Sequence, residues 1–174
     1  MRFILKTIII LLLFVNCELY GKISDDDSNI QGSLPSLLLG EWAFIQPGLT
    51  TPAERYVIEE NTIQYGYGEG ESQYDYKGDI LFVSNYSADS GVIIIKYFDT
   101  ERPSYTGYNG NLFFGIYYRN LKNNTVQLAN AINLSDFTAP DTKTPEEAIA
   151  KFTRLKMGNY VDWSAVQHQS RVLK

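Results

Sequence analysis

The chain has 174 residues, 44% hydrophobic and 20% charged, a balance typical of one folded domain rather than a disordered chain or a bundle of membrane spans. One cysteine and one histidine exclude a disulfide framework and a cysteine-based zinc site, and make a Ser-His-Asp triad improbable. With 20 acidic residues against 15 basic ones, the composition argues against nucleic acid as a partner.

The first sixteen residues have the pattern of a secretory signal peptide. Arg2 and Lys6 precede an apolar run over residues 8–15. The run is too short for a spanning helix, which needs about 20 apolar residues. We therefore predict that residues 1–16 are removed from the mature protein.

Cys17 follows this apolar run directly. The tetrapeptide FVNC, which ends at Cys17, resembles a bacterial lipobox of the relaxed kind known in spirochaete lipoproteins. The resemblance implies that Cys17 becomes an acylated N-terminus, and several acyl chains together make a stable membrane anchor in the cell envelope. The alternative is an ordinary signal cut after Cys17, which leaves no anchor.

A polar, acidic stretch comes next and includes three consecutive aspartates, Asp25–Asp27. It lacks the alternating ligands and closing glutamate of a calcium loop. We interpret residues 17–36 as the lipidated N-terminus and a tether, ahead of one folded domain at residues 37–174.

Tyrosine is unusually common in the body of the chain, with eleven of thirteen between Tyr56 and Tyr118. Short aromatic and β-branched runs, separated by Gly, Asn and Asp, predict strands joined by turns. The eight candidate strands are Glu41–Ile45, Arg55–Glu59, Thr62–Tyr67, Tyr74–Lys77, Asp79–Ser84, Val92–Phe98, Leu112–Arg119 and Thr125–Ile132.

Short connections favour antiparallel neighbours, with tight hairpins at Glu60-Asn61 and Lys77-Gly78. Eight such strands can close into a meander barrel, which removes exposed strand edges. The run from Val92 to Ile95 is apolar on both faces, so a helix or a partner must cover its outer side. The predicted fold is mainly β, an antiparallel eight-stranded barrel with one C-terminal helix.

That helix is predicted from Pro145 to about Lys156. Thr144 is the expected N-cap and Glu147 completes a capping box. Gly158 is the expected C-terminal cap. An apolar stripe at helical spacing is expected to pack on the barrel, and its members are Ala148, Ile149, Phe152 and Leu155.

The tripeptide Gly40-Glu41-Trp42 opens the first strand. A Gly-x-Trp there, followed by an antiparallel meander and a late helix, resembles the lipocalin-like (calycin) barrels. The resemblance implies that Trp42 closes one end of the barrel and that a basic residue from a late strand packs over it. Arg119 is the first candidate for this residue and Arg154 the second.

The second half of the chain, residues 91–171, resembles a family of small treponemal lipoproteins. The likeness rests on the segments YYRNL from residue 117, NTVQLAN from 124, PDT from 140, EEAI from 146 and YVDWS from 160. This resemblance implies a location and a fold, and no catalytic residue can be carried over from it.

Motifs that would carry chemistry are weak. The glycine-rich residues 66–70 are not followed by a helix that could receive a phosphate, so a hairpin loop is predicted. The carboxylates of Glu59, Glu60, Glu69 and Glu71 are expected at a solvated rim, and His168 in an exposed tail. We predict no catalytic residue, metal or cofactor, with a hydrolase as the remote alternative.

Two functions remain. In the first, the barrel holds a small apolar or aromatic ligand between tyrosines. The candidates are Tyr65, Tyr67, Tyr74, Tyr76, Tyr97 and Tyr118. In the second, a monomer with a filled barrel meets a protein partner through exposed tyrosines and the loop over residues 99–111, with Tyr105 and Tyr108. An open cavity of about 300 Å³ or more would favour the first.

Overall fold

The computed structural model describes residues 32–67, 74–99, 112–138 and 140–173. The predicted signal peptide, Cys17 and most of the predicted tether lie outside these ranges. So do most of the glycine-rich loop and the loop that holds Tyr105 and Tyr108.

Eight strands form one closed antiparallel barrel, in which each strand pairs with its neighbours in chain order and the last returns to the first. This confirms the predicted fold class, including one α-helix among the described residues. The strands are β1 Gly40–Phe44, β2 Glu54–Ile58, β3 Thr62–Tyr67, β4 Tyr76–Ser87, β5 Ser90–Asp99, β6 Phe113–Arg119, β7 Thr125–Asn130 and β8 Gln169–Arg171.

The prediction of two strands around Lys77-Gly78 is wrong, because β4 runs through this site without a hairpin. The pairing of β4 with β5 slips there by a bulge. A Cβ on Gly78 would come within 2.9 Å of the Ile95 side chain. The glycine therefore permits close packing between neighbouring strands rather than a turn.

The strand that completes the barrel, β8, is not among the predicted ones. Its three residues, Gln169 to Arg171, are polar and show no apolar alternation. It nevertheless pairs with both β1 and β7. The predicted number of eight strands is therefore correct although two of its members differ. The long β4 replaces two predicted strands, and the short β8 supplies the eighth.

The helix α1 spans Pro145–Lys151, shorter than predicted. The Thr144 hydroxyl accepts a hydrogen bond from the Glu147 amide at 3.1 Å, as expected of an N-cap. The Glu147 carboxylate accepts from the amide of Lys143, rather than from that of Thr144. The Thr144 cap is therefore as predicted, whereas the reciprocal bond of the predicted capping box is shifted by one residue.

Burial of Phe152 ends the helix early. Phe152 leaves helical geometry, and its ring covers Gly115 of β6 so closely that a Cβ on Gly115 would lie 2.7 Å from it. Leu155, predicted to belong to the apolar stripe, is 78% exposed, and Gly158 lies in a separate 3-10 turn, Met157–Asn159. The helix contacts β5 and β6, as the two-sided burial of Val92–Ile95 predicted.

Candidate functional site

One end of the barrel is filled by Trp42. Its side chain is fully buried, and its indole Nε1 donates a hydrogen bond to the Leu38 carbonyl at 2.8 Å. The guanidinium of Arg171 lies over the indole ring, 4.3 Å from its centroid. We call this end of the barrel, where β1 begins and β8 ends, the closed end.

Arg171 also binds the backbone that crosses the closed end. It donates to the carbonyls of Leu39 at 2.7 Å and Asn123 at 2.8 Å, and to that of Leu37. Gly40 makes room for it: its φ is +126°, and an added Cβ would lie 2.8 Å from Nη1 of Arg171. The glycine, the tryptophan and the arginine therefore form one packed unit.

The prediction that Arg119 packs over Trp42 is wrong. Arg119 lies on β6, and its guanidinium stacks 4.4 Å from the ring centroid of Trp163, while its Nε donates to Gln127 at 2.8 Å. Arg154, the second candidate, is exposed. Because β1 pairs with β8, the basic residue over Trp42 comes from β8.

The opposite end of the barrel holds a cavity of about 840 Å³ that is open on one side. We call this end of the barrel the open end. Four of the six candidate tyrosines line this cavity, and they are Tyr65, Tyr67, Tyr76 and Tyr97. The volume exceeds the roughly 300 Å³ at which ligand pockets begin.

A continuous series of aromatic rings runs across neighbouring strands beside the cavity, and every member except Tyr56 lines it. Tyr65 pairs with Tyr56 on one side and with Tyr76 on the other, at centroid distances of 4.8 and 5.2 Å. Tyr97 follows at 4.9 Å from Tyr76, and Phe114 at 5.5 Å from Tyr97. We call these five residues on β2 to β6 the ring ladder.

The other two candidate tyrosines lie elsewhere. Tyr118 is buried towards the closed end, where its hydroxyl donates to Asn85 at 2.6 Å. Tyr74 is buried just before β4, with the Lys77 ammonium 3.9 Å from its ring centroid. Neither is among the residues that line the cavity.

Glu54, at the start of β2, contributes a carboxylate to the cavity wall. Its Oε2 accepts a hydrogen bond from the Gln169 amide at 2.7 Å, and its Oε1 accepts one from the Tyr56 hydroxyl at 3.3 Å. Burial raises the pKa of this carboxyl, and hydrogen bonds from Gln169, Tyr56 and Tyr65 offset part of the rise.

A second polar group on the wall is the amide of Asn130, on β7. Its Oδ1 accepts a hydrogen bond from the Tyr76 hydroxyl at 2.7 Å. The same strand, β7, also fixes the side chain of Gln169, whose Oε1 accepts a hydrogen bond from the Leu128 amide at 2.9 Å. The cavity therefore combines aromatic walls with a few held polar groups, the usual composition of a small-molecule site.

A smaller hollow of about 330 Å³ adjoins the main cavity and shares part of its lining. Phe137 borders both spaces, is 74% exposed and has a φ of +56°. A bulky residue seldom adopts this left-handed backbone conformation. Here the turn is held by the Phe137 amide, which donates to the Asn133 carbonyl at 2.7 Å.

Sequence reasoning did not select Glu54, Asn130, Gln169 or Arg171. For Glu54 a signal exists, because a residue two positions before the inward-facing Tyr56 faces the same side of a strand. For Gln169 and Arg171 no local signal exists, since their role depends on the return of β8 to β1.

The described residues show no cluster of three or more His, Cys, Asp or Glu side chains placed to hold a metal ion. None of the helices in these ranges is long and apolar enough to cross a membrane. No protein-family model, curated protein or solved structure matches this chain, so both family resemblances stay predictions.

Proposed function

We propose that this chain is a membrane-anchored bacterial lipoprotein whose lipocalin-like barrel binds a small apolar or aromatic molecule without catalysing a reaction. The observation that carries the proposal is the open cavity of about 840 Å³ at one end of the barrel. A barrel whose interior were filled by side chains would have no such space.

The chemistry of the wall supports a ligand with an apolar body. Leu128, Phe44 and the ring ladder supply apolar contact, and burial of such surface favours binding by about 25 cal/mol per Å² before the costs of association. The tyrosine hydroxyls and Asn130 supply hydrogen-bonding groups that orient a ligand.

The position of the N-terminal segment fits an anchor at Cys17. The Gly32 amide donates to the Val83 carbonyl at 2.7 Å, and the Asn85 side chain donates to the Ser33 carbonyl at 3.0 Å. The described chain thus begins beside the part of β4 that leads to the closed end.

A second candidate function is that of a surface protein which binds a protein partner. It is favoured by apolar side chains exposed around the open end, notably Tyr67 at 57% and Phe137. The buried ring ladder and the cavity argue for the small-molecule function as the first choice.

Ligand binding is tested with residues 17–174 carrying Cys17→Ser, which removes acyl chains that would compete for an apolar cavity. Fatty acids, aromatic metabolites and aromatic amines are titrated while tyrosine and tryptophan fluorescence is recorded. We expect saturable quenching that Tyr97→Ala weakens and Tyr118→Phe leaves unchanged. Absence of saturable binding across the series would contradict a ligand-binding barrel.

The anchor is tested in a bacterial host by labelling with a fatty-acid analogue. The wild type should be labelled and should partition into the detergent phase. Cys17→Ser should be unlabelled and remain in the aqueous phase. Equal labelling of both forms would contradict acylation at Cys17 and leave the binding function untouched.

A further inference from the structure

The cavity is electrostatically one-sided. Among the described residues that line it, Glu54 is the only charged one, and none is Lys, Arg or His. The whole chain is also acidic, with 20 acidic against 15 basic residues. A bound anion would meet no positive charge among the described lining residues and would lie near a like charge in a partly dry site.

Glu54 is held in place rather than free to turn towards solvent. Gln169 and Tyr56 donate to its two oxygens, and Gln169 is itself fixed by the Leu128 backbone. A carboxylate has about four lone-pair positions, and Gln169, Tyr56 and Tyr65 supply three donors, which leaves one position for a ligand. The carboxylate is thus a pre-positioned acceptor at the cavity wall.

The ring ladder strengthens the same preference. The negative face of an aromatic ring attracts a cation by about 0.5–2 kcal/mol, and it repels an anion. Two of these rings adjoin the acceptor, because Tyr56 and Tyr65 both hydrogen bond to Glu54, and Tyr65 also stacks on Tyr76. Carboxylate and rings together make a place where a positive charge is favoured from two sides.

We propose that the ligand of this cavity is an organic cation, with an ammonium group seated at Glu54 and an apolar or aromatic body that fills the space beside the ring ladder. This proposal rests on the ligand-binding function proposed above. It disfavours fatty acids and haem, whose carboxylates would face Glu54 with no basic partner in the described part of the lining.

The test uses three dansyl sulfonamides that share a five-carbon chain and end in an ammonium, a methyl or a carboxylate group. Each is titrated into residues 17–174 carrying Cys17→Ser, and the dissociation constant is read from dansyl fluorescence. We expect the ammonium probe to bind at least about tenfold tighter than the methyl probe, and the carboxylate probe to bind weakest.

Glu54→Gln removes the charge and keeps the shape. Its amide oxygen still accepts the hydrogen bond from Gln169, and its NH2 group donates to the Tyr56 hydroxyl, which reverses the direction of that bond. The substitution should abolish the preference for the ammonium probe, so that this probe binds no tighter than the methyl probe does to the same variant. Glu60→Gln, at an exposed position, removes the same charge outside the cavity and should preserve the preference. Should Glu54→Gln fail to fold, the ranking of the three probes on the unsubstituted protein decides alone.

The outcomes separate the two proposals. Equal binding of the three probes, or tightest binding of the carboxylate probe, overturns the cation preference while the binding function stands. An ammonium preference that persists in Glu54→Gln overturns the role of Glu54. Failure of every probe to bind counts against the binding function itself.

Discussion

The two ends of the barrel use similar residue types for opposite purposes. At the closed end, the guanidinium of Arg171 stacks on the ring of Trp42 and donates to the carbonyls of Leu37, Leu39 and Asn123. Arg171 packs so closely on Gly40 that a side chain at this position would not fit. At the open end, neighbouring rings meet in stacked, tilted and edge-to-face arrangements beside a cavity of about 840 Å³, with Glu54 in the wall.

This difference indicates that one end of the sheet stabilises the fold while the other end forms the cavity. Complete packing and satisfied hydrogen bonds stabilise the fold, whereas a cavity forfeits such contacts at its lining. We therefore expect substitutions at the closed end to change stability more than those at the open end. Three of the following four experiments test that expectation, and the one at Asp141 tests the cost of a buried charge elsewhere in the fold.

Trp42→Ala should have the largest effect. It removes a fully buried indole, its hydrogen bond to Leu38 and the surface on which Arg171 stacks. We expect a loss of about 3–5 kcal/mol in the free energy of unfolding, measured by urea titration. Trp163→Ala, at a partly buried position, is the matched control and should cost less. A loss below about 1 kcal/mol for Trp42→Ala would contradict a closing role.

Arg171→Ala should cost about 2–3 kcal/mol, because three carbonyls lose their donor and the indole loses its cover. In a Trp163→Phe background, Trp42 is the remaining tryptophan. Its emission should shift to the red in Arg171→Ala, since water reaches the ring. Arg119→Ala should leave that emission unchanged, and a shift there would restore Arg119 as the closing residue.

Asp141→Asn should stabilise the protein. Burial raises the pKa of this carboxyl from 3.8 to about 6, although nearby Lys151 lowers it in part. A raised pKa means that folding favours the uncharged form. The cost to stability is therefore absent below pH 4, develops between pH 4 and 6, and is complete above pH 6.

Because the Asp141 side chain is half-exposed, we expect a gain of only about 1 kcal/mol from Asp141→Asn near neutral pH. The gain should vanish when unfolding is measured at about pH 4. Asp162→Asn is the control, since a hydrogen bond from Ser164 lowers the pKa of that exposed carboxyl. An equal gain in the free energy of unfolding from Asp162→Asn would show that the loss of any negative charge stabilises this acidic protein, wherever the carboxyl lies.

The smallest effect compares two tyrosine hydroxyls. Tyr118 donates to Asn85 towards the closed end, and Tyr76 donates to Asn130 at the cavity. Tyr118→Phe should cost about 1–1.5 kcal/mol, and Tyr76→Phe about 0.5 kcal/mol, because water in the cavity can replace the lost partner. Equal losses in urea titration would indicate that the two ends do not differ in hydration.

Much of the fold could be predicted because the strands alternate in polarity and their turns are short. Thr62–Tyr67 is predicted at its observed bounds, where Ile63, Tyr65 and Tyr67 share one face. The Gly-x-Trp motif correctly pointed to a buried Trp42. These features are local, and local periodicity is what a sequence displays directly.

The site could be predicted only in part, since its polar members depend on distant pairings. Glu54 acquires its partner Gln169 from a strand 115 residues further along the chain. The identity of the arginine over Trp42 depends on the same closure. Gly78 was misread for a related reason, because close contact with Ile95 and a turn both favour glycine.

The return of β8 to β1 also sets the order in which the barrel can be completed. The hydrogen bond between Arg171 and Leu39 joins residues 132 positions apart. A chain that emerges from its N-terminus can pair β1 to β7 one after another, but the seam stays open until residue 171 is available. Long-range closure of this kind slows folding. Until that moment both edges of the unfinished sheet are exposed, which makes the last strand the step that protects the nascent barrel from aggregation.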